Sequence, residues 1–232
     1  MKILALDSTE TTATVALTED ATLLAQTVLA FGHTHSETLL PALSLLMKQG
    51  GLSYDDVDLF ACSSGPGSFT GVRIGVATVK GLAFGKNKPC IGVSACEALA
   101  YNLIGIDGIL CPVMDARRDQ LYNALFRSEN GKITRLTPDR VIAASDLSSE
   151  LAAYPTAPIY FLGGGYDVAR RACALPNVVD TPPLLRRQNA FSTALVAWEH
   201  YKNGEIDSAA TDAALTPGYL RPSQAERNRA KG

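Results

Sequence analysis

The chain begins with three apolar runs that are separated by polar turns. The runs extend from Ile3 to Leu6, from Ala13 to Leu17 and from Thr22 to Leu29. Short apolar runs that are broken by turn-forming residues predict three antiparallel strands. The apolar spacing becomes helical from Ser36 to Gln49, and the pair Gly50-Gly51 predicts the end of this helix.

A glycine-rich loop separates a predicted strand, Val57 to Cys62, from a predicted helix, Gly71 to Phe84. The loop residues with a predicted structural role are Ser64, Gly65, Pro66, Gly67, Ser68 and Thr70. This order of elements is typical of phosphate-binding sites, because a helix N-terminus carries unpaired N–H groups. However, Val72 follows Gly71 where a P-loop requires lysine, and the glycine spacing differs from that of a dinucleotide fingerprint. We therefore interpret the loop mainly as the tight turn that starts the helix.

The helix behind this loop carries glycines in its interior, each of which costs about 1 kcal/mol relative to alanine. Close approach by another backbone would offset that cost, and either the chain's own sheet or a second chain could provide it. The second alternative predicts an interface formed with the helix from Ser36 to Gln49. Its residues would be His35, Leu39, Leu43, Gly71, Val72, Gly75, Val76, Val79 and Leu82. A bulky charged residue at Gly75 or Val76 would then abolish association and leave the fold intact.

The pattern of the N-terminus recurs in the second half of the chain. Asp115 follows the apolar run from Ile109 to Met114, as Asp7 follows the first run, and a polar turn and a strand come next in both places. The distance from each aspartate to its following strand is the same, which predicts two lobes built on one plan. We place the N-terminal lobe at residues 1–104 and the C-terminal lobe at 105–232, with the last helices packing back on the first lobe.

The remaining pattern supplies the other elements of the two lobes. Strands are predicted at Cys90 to Val93, Leu121 to Phe126, near Lys132 to Leu136 and at Ile159 to Leu162. Helices are predicted after the capping box Ser94 to Glu97, near Asp146 to Ala153, and from Asn189 through Tyr201.

Composition limits the possible functions. The 232 residues are 47% apolar and 19% charged, as in a globular protein with a substantial core, and the net charge of −2 gives no overall attraction to nucleic acid. Five cysteines without a Cys-x-x-Cys pair predict buried thiols in a reducing compartment. With no predicted signal peptide or membrane-spanning run, we expect a cytoplasmic protein.

No metal site is predicted from the three histidines. His33 and His35 are two residues apart and cannot share a helix face, and His200 belongs to a late helix. Asp7 and Asp115 could hold metal ions, as paired carboxylates do in nucleases, but they serve equally well as turn-forming residues.

Two such lobes, with a late glycine turn, resemble the actin, sugar-kinase and heat-shock ATPase superfamily, which has a ribonuclease H-like fold. The resemblance implies an α/β fold with a mixed sheet flanked by helices in each lobe, and ATP or ADP as a weakly supported ligand between the lobes. The residues that would contact it are Asp7, Ser8 and Thr9 in the first phosphate hairpin, Asp115 in the second, and Gly163, Gly164 and Gly165 in an adenosine turn.

The stretch from Ser63 to Gly85 resembles the signature of the TsaB (YeaZ) family much more closely. It reads Ser-Ser-Gly-Pro-Gly-Ser-Phe-Thr-Gly-Val-Arg-Ile-Gly at its start. Further matches are His35-Ser36-Glu37, Asp115-Ala116-Arg117 and Tyr219-Leu220-Arg221, so the resemblance covers essentially the whole chain.

This resemblance implies an accessory subunit, without catalytic activity of its own, of the machinery that makes threonylcarbamoyladenosine in tRNA. It implies a dimer with the paralogous catalytic subunit TsaD, cooperation with the ATPase TsaE, a homodimer when alone, and indirect contact with tRNA. The alternative that stays open is an ATP-hydrolysing enzyme that uses Asp7 and Asp115.

Overall fold

The computed structural model describes residues 1–32, 34–206 and 210–221, which form two lobes with one sheet each. The first sheet has the strand order β3-β2-β1-β4-β5, in which β1, β2 and β3 are antiparallel and β4 and β5 run parallel to β1. Its strands are β1 Lys2–Asp7, β2 Ala13–Glu19, β3 Thr22–Leu29, β4 Leu59–Gly65 and β5 Cys90–Ser94. The apolar runs in the sequence thus predicted these strands, although β4 begins later and ends later than predicted.

Both faces of the first sheet are covered by helices. The helices of this half are α1 His35–Gln49, α2 Phe69–Ala83 and α3 Ala95–Tyr101, with a short 3-10 helix at Tyr54–Asp56. Leu4 and Leu6 face α1 and α2, whereas Ile3 and Ala5 face the opposite side. Because side chains alternate along a strand, consecutive residues of β1 contribute to two different cores.

The second half of the chain repeats the strand order of the first. Its elements are β6 Gly108–Asp115, β7 Gln120–Asn123, β8 Phe126–Glu129, β9 Lys132–Arg135, β10 Arg140–Ala143, α4 Ala144–Leu151, β11 Ile159–Leu162, α5 Tyr166–Ala172, β12 Val178–Val179, a 3-10 helix at Pro183–Arg186, and α6 Ala190–Lys202. The sheet order is β10-β7-β6-β11-β12, with β8 and β9 beside this path. The predicted α/β fold, with two lobes on one plan and helices beside each sheet, is therefore confirmed.

One strand of the second lobe differs from its prediction. The single strand expected from Leu121 to Phe126 is split, so that β7 pairs with the end of β6 and β8 pairs with its beginning. The side chain of Asn123 lies at the break and donates to the carbonyl oxygens of Pro112, at 2.8 Å, and Ala124, at 3.2 Å. A buried polar side chain that satisfies backbone groups in this way is invisible to apolar periodicity.

The end of the chain returns to the first lobe. Asn189 caps α6 by accepting a 3.0 Å hydrogen bond from the N–H of Phe191, and the apolar side of α6 packs on the first sheet. Residues 210–221, which we call the C-terminal strap, follow along the same lobe and place Leu215 in its core. None of the helices within the described residues is long and apolar enough to cross a membrane.

Candidate functional site

A cleft of about 580 Å³ lies between the lobes, where the turn after β1 faces the end of β6. Four segments line it, together with Val72, Tyr122 and Gly164: residues 9–11 after β1, 66–69 at the start of α2, 114–117 at the end of β6, and 218–221 of the C-terminal strap. Both aspartate hairpins and the glycine turn therefore contribute to one concave surface.

The polar groups of the first hairpin form hydrogen bonds within the chain. Asp7 is buried, and its Oδ1 accepts hydrogen bonds from the N–H of Thr9 at 2.8 Å and from the Thr9 hydroxyl at 2.7 Å. Burial raises the pKa of Asp7, because a carboxylate out of water is disfavoured. The Ser8 hydroxyl donates to the carbonyl oxygen of Gly71, 2.9 Å away in α2. These predicted phosphate contacts thus hold the turn and the helix together.

The second hairpin is more open and has an unusual backbone. Asp115 is exposed, and its Oδ1 accepts a 2.7 Å hydrogen bond from the N–H of Arg117. Arg117, Arg118 and Asp119 adopt φ values of 67°, 57° and 55°, a left-handed conformation that costs roughly 1–2 kcal/mol for each non-glycine residue. Arg221 of the C-terminal strap stabilises this turn by donating to the carbonyl oxygen of Ala116, at 3.1 Å, and to the side chain of Gln120.

The predicted adenosine turn follows β11 and packs tightly on β6. A Cβ atom at Gly163, whose φ is 107°, would collide with the carbonyl oxygen of Val113, and one at Gly165 would lie 2.9 Å from the same atom. The N–H of Gly164 points towards the first lobe and donates to both carboxylate oxygens of Glu10, at 2.9 and 3.2 Å. The amide N–H at the centre of this turn is therefore already hydrogen-bonded to the chain's own Glu10 carboxylate.

Glu10 is a site residue that the sequence did not reveal. Its carboxylate also accepts a hydrogen bond from the side-chain amide of Gln188, and its backbone carbonyl accepts one from His35 Nε2 at 2.6 Å. Burial raises the pKa of Glu10 to about 7, although the hydrogen bonds from Gln188 and Gly164 oppose the increase. In the sequence Glu10 is one polar residue of a polar turn, and its main partner lies 154 positions away.

The glycine loop joins three segments of the chain. A Cβ atom at Gly65 would collide with the carbonyl oxygen of Gly218 in the strap, and one at Gly67 would lie 2.5 Å from the carbonyl oxygen of Thr9. Pro66 follows Gly65 through a cis peptide bond. The hydroxyl oxygen of Ser68 accepts the N–H of Gly71 at 3.4 Å and so caps α2.

Two further backbone contacts complete this junction. The N–H of Ser68 donates to the carbonyl oxygen of Thr9 at 2.7 Å, and the carbonyl of Ser64 accepts the N–H of Gly218 at 2.8 Å. Thr70, in the first turn of α2, is exposed. The loop thus connects the first hairpin, α2 and the strap.

The C-terminal strap is anchored at the cleft by an aromatic contact. The rings of Phe69 and Tyr219 stack with their centroids 4.7 Å apart, and Arg73 Nε donates to the Tyr219 hydroxyl at 2.7 Å. The guanidinium group of Arg73 also lies 3.9 Å from the centre of the Phe69 ring, a cation–π geometry. The sequence contained these residues within its recognised motifs but gave no signal that they meet.

The structure corrects the residues of the predicted partner interface. Seven of the nine are buried inside the chain: Leu39, Leu43, Gly71, Val72, Gly75, Val76 and Val79. His35 and Leu82 are half-buried. A partner cannot reach the buried side chains, because α1 and α2 already pack them against the chain's own sheet.

The glycines in α2 lie in two different environments. A Cβ atom at Gly71 would collide with the carbonyl oxygen of Ser8, and one at Gly75 would lie 2.7 Å from the Ser8 hydroxyl, so these two permit close packing on the chain's own hairpin. A Cβ atom at Gly81 would meet nothing within 4 Å. Gly81 instead belongs to an exposed surface, the outer α1–α2 face, formed by Leu40, Leu45, Ala77, Gly81 and Phe84.

The histidines that the structure describes do not meet. His35 contacts Glu10, and His200 contacts Glu97 and Glu205, each at 3.2 Å; His33 lies outside the described residues. In residues 1–32, 34–206 and 210–221, no group of three or more His, Cys, Asp or Glu side chains is arranged to hold a metal ion.

Comparison with protein families places this geometry in context. A family model for TsaD, tRNA N6-adenosine threonylcarbamoyltransferase, matches residues 29–228. The tRNA threonylcarbamoyladenosine biosynthesis protein TsaB of Bacillus subtilis strain 168 is 31% identical over 229 residues, which cover 97% of this chain and 96% of that protein. The TsaB protein of Escherichia coli K12 is 37% identical over 134 residues, covering 56% of this chain and 58% of that protein.

A solved structure has the same fold over nearly the whole chain. YeaZ from Pseudomonas aeruginosa superposes with a TM-score of 0.79 at 26% sequence identity. The match covers 94% of this chain and 99% of the YeaZ chain, so both lobes and their connection are shared.

Proposed function

Because the chain belongs to the TsaB (YeaZ) family of tRNA threonylcarbamoyladenosine biosynthesis proteins, we propose that it is a non-catalytic accessory subunit of the threonylcarbamoyl-transferring complex. The observation that carries this proposal is that polar groups at the cleft are hydrogen-bonded to other groups of the same chain. The Gly164 N–H binds Glu10, and the Ser8 hydroxyl binds the Gly71 carbonyl. An ATP-using enzyme of this superfamily would need such groups for its nucleotide.

The partner in this proposal is the catalytic subunit TsaD, and the docking surface is the outer α1–α2 face. The side chains of Leu40, Leu45 and Phe84 are 48%, 52% and 78% exposed, which leaves apolar area without cover in the isolated chain. Ala77 and Gly81 are exposed small residues of α2 and would let a partner helix approach closely. A self-complementary patch of this kind also supports a homodimer when TsaD is absent.

The remaining parts of the complex follow from the same role. The ATPase TsaE acts together with the pair in this proposal, and tRNA is bound mainly by the partners, since the net charge of this chain is −2. The protein works in the cytoplasm, where tRNA is modified.

The proposal is tested in a bacterial strain whose own TsaB has been depleted. Expression of this chain should restore threonylcarbamoyladenosine, measured by mass spectrometry of digested tRNA, and a tagged chain should co-purify with TsaD. Gly81→Glu should abolish both effects, because it places a charge on the outer α1–α2 face. Ser149→Glu, on an exposed position of α4, is the matched control and should behave like the wild type. Failure of the wild-type chain to restore the nucleoside would contradict the proposed role.

A second candidate function, ATP hydrolysis, is favoured by the size of the cleft and by the exposed Asp115 at its wall. Calorimetry and phosphate release with the isolated chain and Mg-ATP distinguish the two candidates. The accessory-subunit proposal predicts little binding and no turnover. Tight, Mg-dependent binding with turnover that is lost in Asp115→Asn would favour the enzyme.

A further inference from the structure

We propose that Glu10 is a latch between the two lobes, and that release of its carboxyl group from the N–H of Gly164 opens the cleft. This goes beyond the proposed function, because it concerns how the isolated chain changes shape. The latch consists of one side chain from the first lobe and the N–H of Gly164, which follows β11 in the second lobe.

The two ends of Glu10 are held by different parts of the molecule. Its backbone carbonyl accepts the 2.6 Å hydrogen bond from His35 in α1, which fixes the hairpin to the first lobe. Its carboxylate accepts the Gly164 N–H at 2.9 and 3.2 Å and the Gln188 amide. Separation of the cleft walls at this point therefore requires the Gly164 contact to break. The contacts with His35 and with Gln188 can persist, because the residues after Gln188 are bonded to the first lobe.

The fit at Gly164 shows how closely the two walls approach. A Cβ atom there would lie 2.7 Å from Glu10 Oε1, too close for any real side chain. The backbone of Gly164 is not in the left-handed region, so alanine is compatible with its conformation. Gly164→Ala would therefore displace the Glu10 carboxylate without changing any charge.

The charges around Glu10 decide how the latch responds to pH. The titratable or charged groups on the surrounding elements include Asp7 on β1, Asp115 on β6, His35 on α1 and the Cys96 thiol on α3. Arg117 and Arg221 line the same cleft. The guanidinium of Arg186 is turned towards Tyr166 and the Thr181 carbonyl. Asp7 and Asp115 repel an ionised Glu10, and no described contact pairs it with a cation.

The direction of the pH response follows from proton binding in the two states. Burial raises the pKa of Glu10 from 4.5 to about 7 in the closed state, and exposure to water in an open state would return it towards its ordinary value. The closed state therefore binds the proton more tightly, so that acid closes the latch and a rise through about pH 7 opens it. Between about pH 5 and about pH 8 the ratio of open to closed molecules should increase on the order of tens of fold.

Distance measurement between two spin labels tests this latch in the full chain. Glu37→Cys on α1 and Asp167→Cys on α5 provide exposed sites in different lobes, and the five natural cysteines are buried. The wild-type distance distribution should shift to longer distances as the pH rises. Glu10→Gln keeps an oxygen acceptor but cannot ionise, so it should stay closed at both pH values.

Two further variants separate a latch from a merely structural glutamate. Glu10→Ala and Gly164→Ala should each give the open distribution at both pH values, and their combination should open the cleft no further. Glu129→Gln, an exposed glutamate on β8, should retain the wild-type response. The proposal is overturned if Glu10→Ala keeps the wild-type distances and pH response while circular dichroism shows a folded protein.

Discussion

The hydroxyl of Ser8 donates a 2.9 Å hydrogen bond to the carbonyl oxygen of Gly71, and the carbonyl oxygen of Ser8 lies so close to Gly71 that a Cβ atom there would collide with it. The hairpin after β1 and the first turn of α2 are thus in direct backbone contact. Because β1 and α2 both belong to the core of the first lobe, this contact cannot relax by moving an exposed loop.

Replacement of Gly71 by alanine should lower the free energy of unfolding by about 2–3 kcal/mol, since the added methyl group forces the helix away from the hairpin. Gly81→Ala is the matched control, because it lies in the same helix with open space around it. It should raise the free energy of unfolding by about 1 kcal/mol. Urea unfolding monitored by circular dichroism measures both changes, and equal effects at the two positions would contradict the packing described here.

Adjacent positions of α2 should respond oppositely to a charge. Val76→Glu should prevent folding, because Val76 is 4% exposed and lies in the core of the first lobe. The sequence-based expectation that this change would only separate partners is not compatible with that burial. Ala77→Glu, on the outer α1–α2 face, should fold normally and reduce self-association. Circular dichroism and sedimentation of both variants give the two readouts, and a folded Val76→Glu protein would refute the assignment of faces.

The aromatic anchor of the C-terminal strap should contribute measurably to stability. Tyr219→Ala removes both the stacking on Phe69 and the bond from Arg73, and should cost about 2 kcal/mol in the free energy of unfolding. Tyr219→Phe keeps the ring and removes only the hydroxyl, so it should cost about 1 kcal/mol or less. Limited proteolysis should cut the strap sooner in Tyr219→Ala than in the wild type. Unchanged proteolysis would mean that other contacts hold the strap.

His200 should make the stability depend on pH. Its Nε2 faces Glu97 Oε1 and its Nδ1 faces Glu205 Oε2, and only the doubly protonated ring can donate to both carboxylates. The hydrogen bond to Glu97 raises the pKa of His200, against the effect of burial. The resulting stabilisation is fully present below the ordinary pKa of about 6.5 and is lost as the pH rises through the higher folded-state value.

The effect should be modest, because the His200 side chain is 30% exposed and water weakens the ion pairs. Thermal unfolding between about pH 6 and about pH 9 should show a decline in the wild type that is absent in His200→Gln. Lys202→Gln, in the same helix, should retain the decline. A decline of equal size in His200→Gln would exclude this residue as its source.

The sequence predicted the regular parts of the fold because their apolar positions follow one period. In β1, Ile3 and Ala5 face one core while Leu4 and Leu6 face another, and the recurrence at Asp115 correctly indicated a second lobe on the same plan. Strand β10 and helix α5 were missed, although β11 and α3 have the same lengths and were predicted. Helix α3 begins with a side-chain cap and β11 ends in three glycines, whereas α5 has no such cap and β10 runs directly into α4.

The candidate site was harder to predict because its contacts are distant in sequence. Asp7, Asp115 and Gly164 were named, and the cleft brings Asp115 and Gly164 together at its wall. Glu10 and Tyr219 act through Gly164 and Phe69, each more than a hundred residues away. Most of the predicted interface residues are buried, which the sequence did not show for a related reason. Periodicity identifies the apolar side of a helix but does not say whether the chain's own sheet covers it.

The position of the C-terminal strap has a consequence for the order of synthesis. Leu215 lies in the core of the first lobe, and Ala194 and Val196 of α6 cover one face of the first sheet. The first lobe, although it is translated before the second, therefore cannot complete its core until Leu215 has been translated. The second sheet, whose strands end at Val179, can assemble before the first lobe is finished. A nascent chain stopped before residue 190 would expose one face of the first sheet to chaperones and proteases.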